Sequence, residues 1–146
     1  MSVKFTDNSV KILKAMEKAK HNALTAIGMA VETNAKLDAG MPVDTGYARN
    51  SITYAVAGGK AGTSSYQADR AKGDQPIKKG KYSGTMEGEE DEFVAIGSNV
   101  PYFQVIELGG QNRKAHHILK KAATEHSAEY KRLAEDAVYS AINNSQ

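Results

Sequence analysis

The chain has no cysteine, no tryptophan, and only three prolines and three phenylalanines among its 146 residues. Without cysteine there is neither a disulfide nor a thiolate metal site, so synthesis in a cytoplasm is expected. No apolar run approaches the roughly 20 residues that a membrane helix needs. The first residues, MSVKFTD, lack the apolar core of a secretory signal. Charge of one sign is scarce too. With 19 basic and 17 acidic side chains the net charge is +2, too small to argue for nucleic-acid binding from composition alone. What remains, 40% apolar and 25% charged, is the composition of a soluble globular protein, and the length suits one domain over residues 1–146.

Apolar residues at three- and four-residue steps predict a long first helix from about Asn8 to Ala39. Leu13, Met16, Ala23, Leu24, Ile27, Ala30, Val31 and Ala35 share its apolar face. Asp7, Asn8 or Ser9 can cap it, and Gly40 with Pro42 can end it. At about 1.5 Å per residue this rod is roughly 45 Å long. Its stripe either spans the chain's own sheet or partly faces another subunit. Ser51–Ala57 (SITYAVA) and Phe93–Gly97 (FVAIG) read as two strands of one antiparallel sheet. Pro101–Leu108 suits a short helix that leaves at Gly109-Gly110, and Ala115–Ile142 reads as one closing helix. The expected class is α+β.

Between the strands lie residues 58–92, which carry seven of the thirteen glycines and few large apolar side chains. So little apolar surface does not offset ordering entropy, and an extended, mobile hairpin loop is expected. Its charge is segregated. Arg70, Lys72, Lys78, Lys79 and Lys81 precede the run Glu87, Glu89, Glu90, Asp91 and Glu92. Crowded like charges repel, so the acidic run should be solvated or should meet a basic partner surface. Lys78, Lys79, Lys81, Glu89, Glu90 and Asp91 are the expected partner-binding residues. The lysines, with Tyr66 and Tyr82 nearby, also allow weak, salt-sensitive contact with a DNA backbone.

Catalytic signals are thin. Asp44-Thr45-Gly46 is a turn signature before it is a carboxylate site. The histidines at 21, 116, 117 and 126 include no i, i+4 helical pair, and no metal or cofactor is expected. Glu107 lies in an apolar context, where a carboxylate needs a partner. Arg49 is the expected one. The rival readings are a small metal-dependent hydrolase or nuclease using Asp44, Glu107 and His117, and a weak DNA-binding module.

One resemblance gathers these pieces. The long first helix, then PVDTGYARNSI (42–52), AIGSNVPY (95–102), VIELGG (105–110) and AHHILKKAATEH (115–126) follow one another in an order that resembles the head–tail joining, or tail-completion, proteins of long-tailed bacteriophages. The likeness covers nearly the whole chain. It implies a small α+β subunit, with no catalysis and no cofactor, in a ring of like subunits, expected to be a hexamer, at the virion neck. The implied partners are the head connector and the tail tube proteins, with transient DNA contact in the lumen and no membrane. The chain would be made in the host cytoplasm and end in the virion. On this reading Asp44, Gly46, Arg49, Tyr102, Glu107 and Gly109 shape the fold and the rim of the ring. Ala115–Leu119 stands where such proteins often carry an aromatic-and-proline segment.

Overall fold

The computed structural model describes residues 2–57, 61–82 and 93–144. It is α+β. Helix α1 spans Ser9–Leu37, and α2 is a single turn, Tyr47–Asn50. Strands β1 (Thr53–Val56), β2 (Ser65–Gln67), β3 (Lys79–Lys81) and β4 (Val94–Gly97) follow, then α3 (Phe103–Leu108), α4 (Ile118–Thr124) and α5 (Ser127–Asn144). No described helix is long and apolar enough to cross a membrane.

Helix α1 begins where the Asp7 carboxylate accepts the Ser9 amide at 2.9 Å, satisfying a first-turn donor. It ends at Asp38, whose carboxylate takes the Gly40 amide at 2.6 Å and the Lys121 ammonium at 3.4 Å. Ala19, Ala23, Gly28, Val31 and Ala35 form its buried face. Gly28 leaves room for the Tyr54 ring of β1, which a Cβ there would strike, and α5 packs along the same helix. Asn34 donates to the Tyr130 hydroxyl at 3.0 Å and to Glu129 at 3.2 Å. Because α4 sits at the C-terminal end of α1, α5 runs back antiparallel to it. From the Asn34–Tyr130 contact, α1 extends about 37 Å back to Ser9, while α5 runs only about 21 Å on to Asn144. The first turns of α1 therefore overhang. There Leu13 and Met16, expected on the buried stripe, are 61% and 52% exposed, with Val10 and Ile12 exposed beside them.

The expected antiparallel pairing of the two strands is present, β1 against β4 with Thr53 opposite Gly97 and Val56 opposite Val94. The connecting segment differs from expectation. Residues 65–67 and 79–81 form a second antiparallel sheet, with Tyr66 opposite Gly80. Tyr66 and Ala68 are buried in the core with Tyr47 and Ile52. Few large side chains suffice because Tyr66 and Tyr82 pack with Tyr47 from outside the segment: the ring centroids of Tyr47 and Tyr66 are 5.2 Å apart, those of Tyr66 and Tyr82 5.6 Å. Glu89, Glu90 and Asp91 lie outside the described residues.

The closing helix is also broken, into α4 and α5. An unbroken helix would offer the Ala122 carbonyl to the residue 126 amide. Here the Tyr130 hydroxyl donates to it instead, so the chain turns at Glu125-His126 and restarts beside α1. Residues 115–117 lie outside the helix, and His117 takes a left-handed conformation, φ 51°.

Candidate functional site

The PVDTGYARN segment acts as a clasp around the exit of β2. Gly46 has φ 79°, a conformation that glycine adopts without a Cβ penalty, and a Cβ there would run into the Asp69 carboxylate. Asp69 is the hub. Its amide donates to the Thr45 carbonyl at 2.7 Å. Its carboxylate accepts from Asn50 at 2.8 Å and pairs with Arg49. Asn50 also donates to the Gln67 carbonyl at 2.8 Å. Arg49 is thus committed to Asp69 and not to Glu107, correcting the expected pair.

Glu107 instead caps α4. Its two carboxylate oxygens accept the Leu119 and Lys120 amides at 2.9 and 3.0 Å. The demand for a partner in an apolar setting was real, but free helix amides meet it without a cation. Gly109 is the C-cap of α3, as its position after the apolar run suggested.

The loop after β4 is tied to the clasp through hydroxyl groups. Ser51 donates its single proton to the Ala48 carbonyl at 2.6 Å. The 2.6 Å contact between the Ser51 and Ser98 hydroxyls is therefore a donation from Ser98. Tyr82 donates to the Ser51 carbonyl and accepts the Asn99 amide at 3.2 Å. Asn99 accepts from Tyr66 and donates to the Lys81 carbonyl at 3.0 Å. The described residues leave no buried side-chain polar atom unpaired.

These contacts frame a cleft of about 710 Å³ between the clasp, the β2–β3 connection and α3, within the ~300–1,000 Å³ typical of binding pockets. Arg49, Arg70, Lys72, Lys78 and Arg113 line it, with Tyr47, Tyr102, Pro42, Ile77 and Ile106 as apolar floor and wall. Among the described residues Asp44 is the only carboxylate in its lining, and it pairs with Lys72 at 3.0 Å. Arg70 is aimed by the Asp44 carbonyl, to which it donates at 2.8 and 2.5 Å. The Lys78 ammonium rests 4.4 Å from the centroid of Tyr47 and 5.9 Å from that of Tyr102. Such contacts hold the cation in place and leave its charge uncompensated.

The expected site residues are thus only partly gathered. Asp44, Gly46, Arg49, Tyr102 and Lys78 meet at the cleft. Lys79 and Lys81 sit on the exposed face of β3, flanking inward Gly80, and do not line it. Glu107 borders a second, smaller cleft of about 420 Å³ that Asp44 does not reach. Asp44, Glu107 and His117 therefore do not converge, and the described residues hold no group of three or more metal-ligating side chains. Tyr47, Asp69, Arg70 and Arg113 were missed as site residues. Tyr47 and Arg49 already stood in one motif, but nothing local pointed to Asp69 or Arg113. No protein-family model, curated protein or solved structure matches this chain.

Burial, and next the neighbouring Tyr47, pushes the Tyr66 phenol from 10.0 up to about 12. The fold therefore favours the neutral phenol. That stabilisation is fully present below about pH 10, where the unfolded phenol also keeps its proton, and is lost as pH rises towards 12. A loss on the order of 2 kcal/mol is expected across that window. Urea denaturation at stepped pH would measure it, and the drop should shrink in Tyr66→Phe. An equal drop in that variant would remove Tyr66 as its source.

Proposed function

We propose that this chain is a non-enzymatic structural subunit of a tailed-phage neck, which joins a ring of its own copies between the head connector and the tail tube. The observation that carries the reading is the overhang of α1, where Val10, Leu13 and Met16 face solvent along a helix whose other half is buried. An apolar stripe of this kind marks a surface completed by another protein. Support also comes from the motif segments that suggested the family, since PVDTGYARNSI and AIGSNVPY meet through the Ser51–Ser98 contact and the Tyr82 hydroxyl. A subunit in a closed ring presents two different edges to its neighbours. The overhang and the cationic cleft are two such unlike surfaces. Transient DNA contact in a lumen, through Lys79 and Lys81 on the exposed face of β3, belongs to the same proposal.

The experiment is incubation of the purified protein with tail-less heads and with free tails of the cognate phage. Cosedimentation reports binding, and restored infectivity reports joining. Selective docking onto one particle followed by joining is the expected result. Binding to neither would overturn the neck reading.

A further inference from the structure

Three of the five cations in the cleft have no carboxylate partner among the described residues. Arg49 pairs with Asp69 and Lys72 with Asp44. Arg70 meets only the Asp44 carbonyl, Lys78 only aromatic rings, and the Arg113 side chain makes no ion pair. The chain also carries the opposite charge in concentrated form, five carboxylates within the six residues 87–92. Resting on the assembly reading, we propose that the cleft receives residues 87–92 of a second copy of this chain, so that one subunit's acidic run docks beside Arg70, Lys78 and Arg113 of the next.

Charge complementarity between two unlike surfaces, each present on every subunit, suits a second copy. Glu90 and Asp91 lie within three residues of Phe93, a reach of about 10 Å. The Phe93 carbonyl accepts the Ala57 amide at the end of the main sheet away from Asn99. Along β4 alone, Phe93 is about 13 Å from Gly97. Asn99 contacts Lys81, at the end of β3 away from Lys78. These carboxylates are thus anchored at the end of the main sheet opposite the loop that meets β3, a placement that suits an outward reach to the next subunit. Charge complementarity of this form also sets direction, because the run of one subunit and the cleft of the next are unlike surfaces. Tyr102, 46% exposed at the rim, adds an apolar wall against which a backbone can lie.

The test uses the full-length protein and a fluorescent peptide of residues 85–93, TMEGEEDEF. Anisotropy should report binding that weakens strongly between roughly 0.1 M and 1 M salt, over which the screening length falls from about 10 to 3 Å. Arg113→Glu and Lys78→Gln should each weaken it about tenfold or more. Lys131→Glu, on the far helix, should not. In sedimentation, a cleft variant (Lys78→Glu with Arg113→Glu) and a run variant (Glu89→Lys, Glu90→Lys and Asp91→Lys) should each fail to associate alone. An equimolar mixture should associate, since the acidic run of the first meets the basic cleft of the second. Absence of peptide binding, equal weakening by Lys131→Glu, or a mixture that stays monomeric would each overturn the proposal. Tighter binding of a nine-nucleotide oligothymidine through the same residues would also overturn it, assigning the cleft to nucleic acid. Docking to heads or tails is scored separately, so the neck reading survives or fails on its own assay.

Discussion

Gly80→Val is expected to remove about 3–5 kcal/mol of stability, a large share of the ~5–15 kcal/mol that holds a typical domain folded. A Cβ at residue 80 would sit 2.5 Å from Tyr66 Cζ and 2.6 Å from the Tyr47 hydroxyl. Neither ring can retreat. Tyr66 is buried between Tyr47 and Tyr82, and its hydroxyl is held by Asn99. Forcing extra methyl groups into such a site costs about 1–3 kcal/mol, and each disturbed aromatic pair adds about 0.5–1.5 kcal/mol. Urea denaturation with near-ultraviolet circular dichroism would measure the loss, the latter because the three packed, mutually tilted phenols should give the dominant signal. A Gly80→Val protein with an unchanged midpoint would show that the hairpin is not packed on the core as described.

The second large effect is expected at Ile52, which is fully buried where α2 hands over to β1. Ile52→Ala should cost about 2–5 kcal/mol and Ile52→Val about 0.5–1.5 kcal/mol. At roughly 2–4 °C per kcal/mol for a domain near this size, the alanine variant should melt about 5–15 °C lower. Differential scanning calorimetry on the pair separates a cavity from a general loss of fold. A similar fall for both variants would mean that the site tolerates no change of shape, and equal melting of all three proteins would place Ile52 outside the core.

What could be read from the sequence follows the range of the interactions. Helix α1, the pairing of β1 with β4, and α3 with its exit at Gly109 each leave a local trace, either a period or a punctuating glycine. The β2–β3 sheet leaves almost none. Its apolar mass is tyrosine, and its fit depends on Gly80 meeting Tyr47, a residue 33 positions earlier. Partner choice among charges is equally non-local. Arg49 and Glu107 were both correctly suspected of needing partners, yet Asp69 and the α4 amides took those places. The break between α4 and α5 has a similar origin, since Glu125 and His126 carry no stop signal and the Tyr130 hydroxyl makes the difference. The cleft was therefore half legible. Its rim sits in the DTGYAR motif, and its far wall comes from Arg70, Lys78 and Arg113.

The β2–β3 hairpin has an evolutionary consequence. Its ladder is separate from the β1–β4 ladder, and the clasp grips it at Gln67 and Asp69, on the body side of the connection through residues 70–78. Lengthening a surface connection costs only about 0.6 kcal/mol per doubling, and here it would disturb neither the core tyrosines nor the main sheet. Insertions and deletions at residues 71–77 are thus the cheapest way for a lineage to reshape one wall of the cleft. Related chains that diverge in what they bind should differ in length there first, while the spacing from Asp44 to Asn50 and the glycine opposite Tyr66 stay fixed.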